Sequence, residues 1–349
     1  MNDTRHRFVT LAIFFAASLC AAAGCGSSSH GGGGSTNPTN AEVAFVDLTS
    51  ERPALLIQDG AGNGRRQIHF TGAADSISIN SPDFPVTDES ILEIGPLAWS
   101  PDGTRLALEL TVASDQSEIV VVDADGMNAT VASINTQQIL TPVDWSADGA
   151  RLAYGMSTTA GANGIDLFVT DLATSQVERV TDGADLAATG VRPRFSADGQ
   201  SLLFSDLEDQ QSQPVFNRVT SVSRIDLTSK AISPVASGLV GDVQGIARSG
   251  ERALLATNVA SDPGSESRTS LVWRDLTGAA GARSPELANG HVIYASVIQG
   301  DRRVFVVTDL SADPSVSLIA YLTTPVDGGG GEVVGGLPTD ASVAADVFE

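Results

Sequence analysis

From about residue 42 onward, short apolar runs alternate with turns rich in Ser, Asp and Gly. That pattern predicts β-strands joined by tight turns. Three stretches repeat one order of residues. Trp99-Ser100-Pro101-Asp102-Gly103 leads into Thr104-Arg105-Leu106-Ala107-Leu108. Trp145-Ser146-Ala147-Asp148-Gly149 leads into Ala150-Arg151-Leu152-Ala153-Tyr154, and Phe195-Ser196-Ala197-Asp198-Gly199 into Gln200-Ser201-Leu202-Leu203-Phe204. A proline precedes each copy, at Pro96, Pro142 and Pro193. Ser first, Pro or Ala next and Gly last fit a type I turn closed by a left-handed glycine. Each copy is therefore an antiparallel hairpin, with the aspartate accepting turn amides.

Looser copies extend the series. Arg248-Ser249-Gly250 precedes Ala253-Leu254-Leu255, Ala288-Asn289-Gly290 precedes Val292-Ile293-Tyr294, and Pro338-Thr339-Asp340-Ala341 precedes Val343-Ala344. Strands ending in aspartate recur at 43–47, 119–123, 167–171, 222–226, 271–275 and 304–309. Both landmarks count six, and the turns recur at intervals of 40 to 51 residues. Such a period predicts an all-β chain, a six-bladed β-propeller of four-stranded antiparallel blades. The strand at 43–47 has no turn before it, and the turn at 338–341 has no aspartate-ended strand after it. Together they make one blade shared by the two ends of the chain. The C-terminal segment is expected to supply its inner hairpin and residues 42–71 its outer two strands. Closing the ring this way leaves no open strand edge.

The three full copies resemble the WD-like propeller repeats of the TolB family, periplasmic proteins of the Tol envelope system. The resemblance covers residues 42–349. Nothing in this sequence resembles the separate α/β domain that precedes the propeller in that family. The likeness implies a periplasm-facing propeller that serves as an interaction platform.

The N-terminal segment reads as an export signal over residues 1–24. Arg5 and Arg7 are followed by mostly apolar residues from Phe8 to Leu19, then by Ala21-Ala22-Ala23-Gly24. A helix over that apolar run is about 18 Å long, too short for a bilayer core of about 30 Å. Small residues directly before Cys25 resemble the lipobox of bacterial lipoproteins, although Ala22 stands where that motif usually has Leu. The resemblance implies a diacylglycerol thioether on Cys25 and a lipid anchor to a membrane; ordinary cleavage after Ala23, leaving a free thiol, is the alternative. Residues 25–41 are a Gly/Ser-rich tether that spans roughly 20–25 Å as a random coil. The third segment, 42–349, is the propeller. The localisation expected is the bacterial cell envelope, facing the periplasm.

Charge narrows the partners. Asp and Glu total 42 against 20 Lys and Arg, a net charge of −22. Nucleic acid binding needs clustered cations, so it is excluded as a function. Lys230 is the single lysine, so a polybasic membrane patch is excluded as well. The two cysteines, Cys20 and Cys25, both lie near the N-terminus and staple nothing downstream. Catalytic patterns are scarce: no Gly-x-Ser-x-Gly elbow, phosphate-binding glycine loop or histidine cluster is present, and no cofactor or catalytic residue is assigned. Asp123-Ala124-Asp125-Gly126 starts like a calcium loop but lacks the closing glutamate and falls where a strand-to-strand turn is needed.

The function expected is a non-enzymatic scaffold that binds an envelope protein or peptide through the loops around the channel mouth. Asp144, Arg192, Arg194 and Gln244, at or just before inner strands, are candidates for channel lining; each also fits as a solvated blade end. Phe216, in the long loop 206–220, is a further binding candidate. The alternative is a hydrolase or lyase with an Asp/Glu-bound metal in the central channel, because carboxylates are plentiful and hard cations need only oxygen ligands.

Overall fold

The structure is a computed structural model that describes residues 42–47, 53–59, 62–70, 91–113, 116–126, 128–135, 141–157, 164–182, 186–187, 191–208, 219–259, 268–277, 288–298, 303–309, 319–325, 332–333 and 345–348. Every regular element among them is a β-strand. In chain order, Glu42–Asp47 (β1), Ala54–Asp59 (β2) and Arg66–Ile68 (β3) come first. Glu93–Trp99 (β4), Arg105–Ala113 (β5), Gln116–Asp123 (β6) and Ala129–Asn135 (β7) form a four-stranded sheet in that order. Asp144–Trp145 (β8), Arg151–Ser157 (β9), Gly164–Asp171 (β10) and Gln176–Arg179 (β11) form the next, with Leu186–Ala187 (β12) added to β10. Arg194–Phe195 (β13), Ser201–Leu207 (β14), Val219–Asp226 (β15) and Ile232–Val240 (β16) form another. Asp242–Ile246 (β17), Arg252–Val259 (β18), Arg268–Asp275 (β19), Ala288–Ile298 (β20), Arg303–Asp309 (β21), Ile319–Pro325 (β22) and Glu332–Val333 (β23) make one seven-stranded sheet. The last strand, Ala345–Phe348 (β24), returns to β1. All pairings are antiparallel, and all join chain neighbours except β10 with β12 and this closing one, which runs from Glu42↔Phe348 to Phe45↔Ala345.

Three expectations are corrected. The described strands fall into five sheets rather than six, because β20 pairs with β19 through Ala288–Gly290 and with β21 through the rest of its length. Asn289-Gly290 therefore lies within a strand and is not a turn. A hairpin there would need a strand immediately before it, and Gly281-Ala282-Arg283-Ser284-Pro285-Glu286-Leu287 has no strand-like alternation. The third correction concerns the closing sheet, whose order is β24-β1-β2-β3: one strand from the C-terminal side and three from the N-terminal side, not two and two. Val43, Ala44, Phe45 and Val46 are all fully buried, and a strand covered on both faces belongs inside a sheet. Outer strands look different: β11 is exposed along its whole length. The turn expected at 338–341 lies outside the described residues.

Among the described residues, the cores lie between successive sheets. Ala44, Leu55 and Ile57 pack with Ile94, Leu106 and Val120; Ala107, Ile119 and Val121 pack with Trp145, Leu152 and Tyr154. Leu167 and Val169 meet Phe195 and Leu202, and Leu203 and Val222 meet Val243 and Leu255. An arginine latches successive sheets together. The Arg105 guanidinium lies 4.9 Å from the Trp145 ring centroid and donates to the Gly149 carbonyl oxygen at 3.0 Å. Arg151 repeats this on Phe195 at 5.2 Å, donating to the Gly199 oxygen at 2.7 Å. Ser201 stands where the third arginine would be. Arg224, on the adjoining strand, approaches the next turn instead, so closely that a Cβ at Gly250 would lie 2.9 Å from its Nη2.

The four turns share one geometry. Gly103, Gly149, Gly199 and Gly250 have φ of 70°, 69°, 66° and 74°, the left-handed conformation that the repeat reserves for glycine. Ser100, Ser146 and Ser196 each donate through Oγ to the aspartate two residues on, at 2.6, 2.5 and 2.6 Å. Those same hydroxyls accept the N–H of Arg105, Arg151 and Ser201. The fourth turn has Ala247 and Ser249 in place of that Ser and Asp; it is held by the backbone bond from Gly250 to Ala247, and Ser249 Oγ accepts the Glu251 N–H at 3.3 Å. Asp123 to Gly126 forms a hairpin turn as expected, with Gly126 donating to the Asp123 carbonyl.

These bonds give the protein a pH dependence. The Ser100, Ser146 and Ser196 hydroxyls hold the carboxyls of Asp102, Asp148 and Asp198 below their ordinary 3.8, and turn amides assist. The Thr174 hydroxyl does the same for Asp171, and the Ser229 N–H for Asp226. A carboxyl with a depressed folded pKa adds stability above its unfolded value and loses it as pH falls through the folded one. The melting temperature is thus expected to be level above about pH 5 and to fall progressively below about pH 4. A D102N/D148N/D198N variant should melt lower at neutral pH and show a shallower acid decline. An unchanged acid slope would show that these turns are not its source.

Candidate functional site

The repeat puts Asp144 and Arg194 at corresponding places on successive sheets, each five residues before its turn glycine; Gln244 lies six residues before Gly250, and Arg192 and Asp242 stand two residues ahead of Arg194 and Gln244. The structure brings four of the five binding candidates to one seam. Arg194 Nη1 donates to Asp144 Oδ1 at 2.9 Å, joining β13 to β8. Arg192 Nη2 donates to Gln244 Oε1 at 3.1 Å, joining the same strand entrance to β17 on its other flank. Gln244 Nε2 donates in turn to Asp242 Oδ2 at 2.7 Å. Phe216 and Cys25 lie outside the described residues.

Sequence reasoning missed Arg248. It follows β17 at the place held by Ala147 and Ala197 in the better copies, a departure that was visible in the repeat. Its Nη2 donates to Asp144 Oδ1 at 3.2 Å and to the Trp145 carbonyl oxygen at 2.7 Å, and its Nη1 to the Phe195 carbonyl oxygen at 3.4 Å. Asp144 Oδ2 accepts the Phe195 N–H at 2.8 Å. One carboxylate therefore ties three sheets together. The side chains of Asp144, Arg194 and Arg248 are only 7%, 17% and 15% exposed, so these charges interact where water screens them weakly. The solvated-end reading fails for Asp144 and Arg194: both are anchored between sheets.

Four large apolar side chains among the described residues are exposed. Val177 and Ile232 are on the outer strands β11 and β16. Leu92, 58% exposed, directly precedes β4, and Val240, 56% exposed, ends β16 one residue before β17. The second pair thus flanks entrances to inner strands. Among the described residues no group of three or more His, Cys, Asp or Glu stands close enough together to hold a metal ion.

Comparison with solved structures decides the architecture. TolB from Acinetobacter baumannii superposes with a TM-score of 0.57 over 89% of this chain and 66% of that one, at 16% identity. A chain of the nidogen/laminin complex gives 0.55 over 89% and 99%, at 7% identity. The β-propeller domain of the Trilobed protease from Pyrococcus furiosus, described as having an open velcro topology, gives 0.50 over 84% and 79%, at 13% identity. This chain is a β-propeller. No family model matches the propeller sequence, and no curated protein matches it. At such identities the likeness is one of fold alone: four-stranded antiparallel blades in a TolB-like arrangement. The propeller also spans only 66% of the length of the TolB chain that it resembles.

Proposed function

We propose that this protein is an exported, lipid-anchored β-propeller that binds an envelope protein or peptide through the face where its inner strands begin. The observation that carries the reading is the exposure of Leu92 and Val240 at two inner-strand entrances, the second of them two residues ahead of Asp242, which Gln244 engages while accepting from Arg192. Exposed apolar side chains rimmed by polar groups are what a partner surface uses. In this reading the seven-stranded sheet is two blades that share β20, which makes six. Support comes from the inner strands lying against one another in succession: β24 on β4, β4 on β8, β8 on β13, β17 on β20, and β20 on β24. The TolB-like fold supports a periplasmic setting, and the lipobox-like residues before Cys25 support the anchor.

Two measurements test this. Cys25→Ser should move the protein from the membrane pellet to the soluble fraction after a high-salt wash, and continued sedimentation would disprove lipidation at that residue. Cross-linking in intact envelopes should then capture a defined partner with the wild-type chain, less of it when Leu92 and Val240 are both replaced by Ser. Equal capture by that variant would remove this face as the docking surface.

A further inference from the structure

We infer that Asn63-Gly64, in the hairpin between β2 and β3, is a site of self-modification, where the asparagine closes to a succinimide and reopens as isoaspartate; this stands apart from the binding reading above. The chain has three Asn-Gly steps, at 63–64, 163–164 and 289–290. The chemistry needs an accessible carboxamide, a main-chain nitrogen free to attack it, and room for a small ring. Asn63 and Gly64 are both exposed. Gly64 has a φ of 64°, and a Cβ placed on it would meet nothing within 4 Å. Among the described residues, neither the Gly64 N–H nor the Asn63 carboxamide has a hydrogen-bond partner. The other glycines with an acidic or amide residue before them are protected. Asn289 and Gly290 lie in a ladder opposite Ser270 and Thr269, where the amide must open before it can react. Gly103, Gly149 and Gly199 each donate their N–H to a serine carbonyl at 2.9 Å, and the aspartates before them are engaged by serine hydroxyls. Asn163 lies outside the described residues.

The reaction needs only water. The Gly64 nitrogen gives its proton to hydroxide and attacks Asn63 Cγ; the bond from Cγ to the amide nitrogen breaks, and ammonia leaves with a proton taken from water. Water then adds to one carbonyl of the ring. Addition at the former main-chain carbonyl breaks its bond to the Gly64 nitrogen, so the chain now runs through Cγ and that carbonyl becomes a free carboxylate. No electrons change hands. The consequence follows from what Asn63 does in the hairpin. Its main-chain carbonyl accepts the Asp59 N–H at 2.9 Å, and its own N–H donates to Asp59 Oδ1 at 2.7 Å. Isoaspartate takes that carbonyl out of the main chain and sets a new negative charge beside the Asp59 carboxylate. Like charges directly opposite each other weaken a strand pair. The strand that depends on this hairpin, β3, has three residues and carries Ile68, which is 2% exposed and lies under Gly126 of the next sheet. Conversion at Asn63 therefore loosens the outer hairpin of the closing sheet.

The test ages the full chain in mildly alkaline buffer, native and in urea, and follows each Asn-Gly peptide by mass spectrometry and by labelling with an isoaspartyl methyltransferase. In urea, Asn63 and Asn289 should convert at similar rates. In the native protein Asn63 should convert at least about tenfold faster than Asn289, because only the second is held in a ladder. The native rate at Asn63 should rise with pH, since the attacking nitrogen must lose its proton. Asn63→Gln, whose ring would be larger and slower to close, should leave that peptide unmodified. Native Asn63 that stays intact while the urea sample converts, or equal native rates at Asn63 and Asn289, would overturn the site. The consequence has its own reading. Aged wild type should melt below fresh wild type, whereas aged and fresh Asn63→Gln should melt alike. Converted wild type that melts as the fresh protein does would overturn the loosening of the hairpin, and an equal fall in the aged Gln variant would assign the loss to a different position.

Discussion

Asp144→Ala is expected to destabilise the protein by about 3–5 kcal/mol, the cost of removing one partner from a buried ionic cluster. Asp144 serves three donors from two other blades, the guanidiniums of Arg194 and Arg248 and the N–H of Phe195. Alanine leaves all of them without that acceptor in a place where water enters poorly. The loss should therefore exceed the sum of any single hydrogen bond. Asp144→Asn offers a discriminating control. It keeps one oxygen and the shape but not the charge, so it should recover the Phe195 bond and still fall well short of wild type. Equilibrium denaturation of the three proteins measures the series. A result in which Asn equals wild type would mean that geometry, and not charge, holds the blades together there. If Ala costs less than about 1 kcal/mol, the cluster is a surface feature.

How far the sequence reveals this molecule depends on whether a property is local. The hairpin turns are local: Ser, Asp and Gly at fixed spacing dictate the bonds that Ser146, Asp148 and Gly149 make, and all three full copies obey. The closing sheet is only half local. A strand at 43–47 and a C-terminal partner were legible from the unpaired landmarks, but which strand lies inside depended on burial. Four consecutive apolar residues, Val43 to Val46, carried that signal in the composition of β1 itself. Asn289-Gly290 misled because a strong turn dipeptide makes a hairpin only with a strand on each side. The site was legible for the opposite reason. Asp144 and Arg194 hold the same place in successive copies, and Gln244 stands one residue off that place in the next, so the repeat that builds the blades also gathers those side chains at neighbouring inner strands. Which of them would meet was not legible, since Arg194 turns towards β8 and Arg192 towards β17. Arg248 belongs to a degraded copy of the turn, where its departure from alanine looked like loss of the motif and was instead a third blade reaching into the cluster.

The same logic gives the largest packing effect, at Trp145. This side chain is 1% exposed and does three things at once. Its ring fills the core between the second and third blades, its Nε1 donates to the Ala98 carbonyl at 3.0 Å, and its face receives the Arg105 guanidinium. Trp145→Ala should cost about 3–5 kcal/mol through the cavity and the lost apolar contacts. It also strands the Ala98 carbonyl and takes away the surface on which Arg105 rests. Trp145→Phe isolates the polar part. The next copy of the repeat already uses phenylalanine, with Arg151 lying over Phe195 at nearly the same distance, so the latch tolerates the smaller ring. Loss of the indole bond alone is worth about 1 kcal/mol, with a further contribution from the smaller volume. The expected order in denaturant midpoint is therefore wild type, then Phe, then Ala, with the wider gap between the last two. If Phe and Ala were equally damaging, the indole hydrogen bond would outweigh the packing. In that case the aromatic position of the repeat would owe its character to polar contact across the blade seam, and Phe195, which lacks the donor, would have to be explained separately.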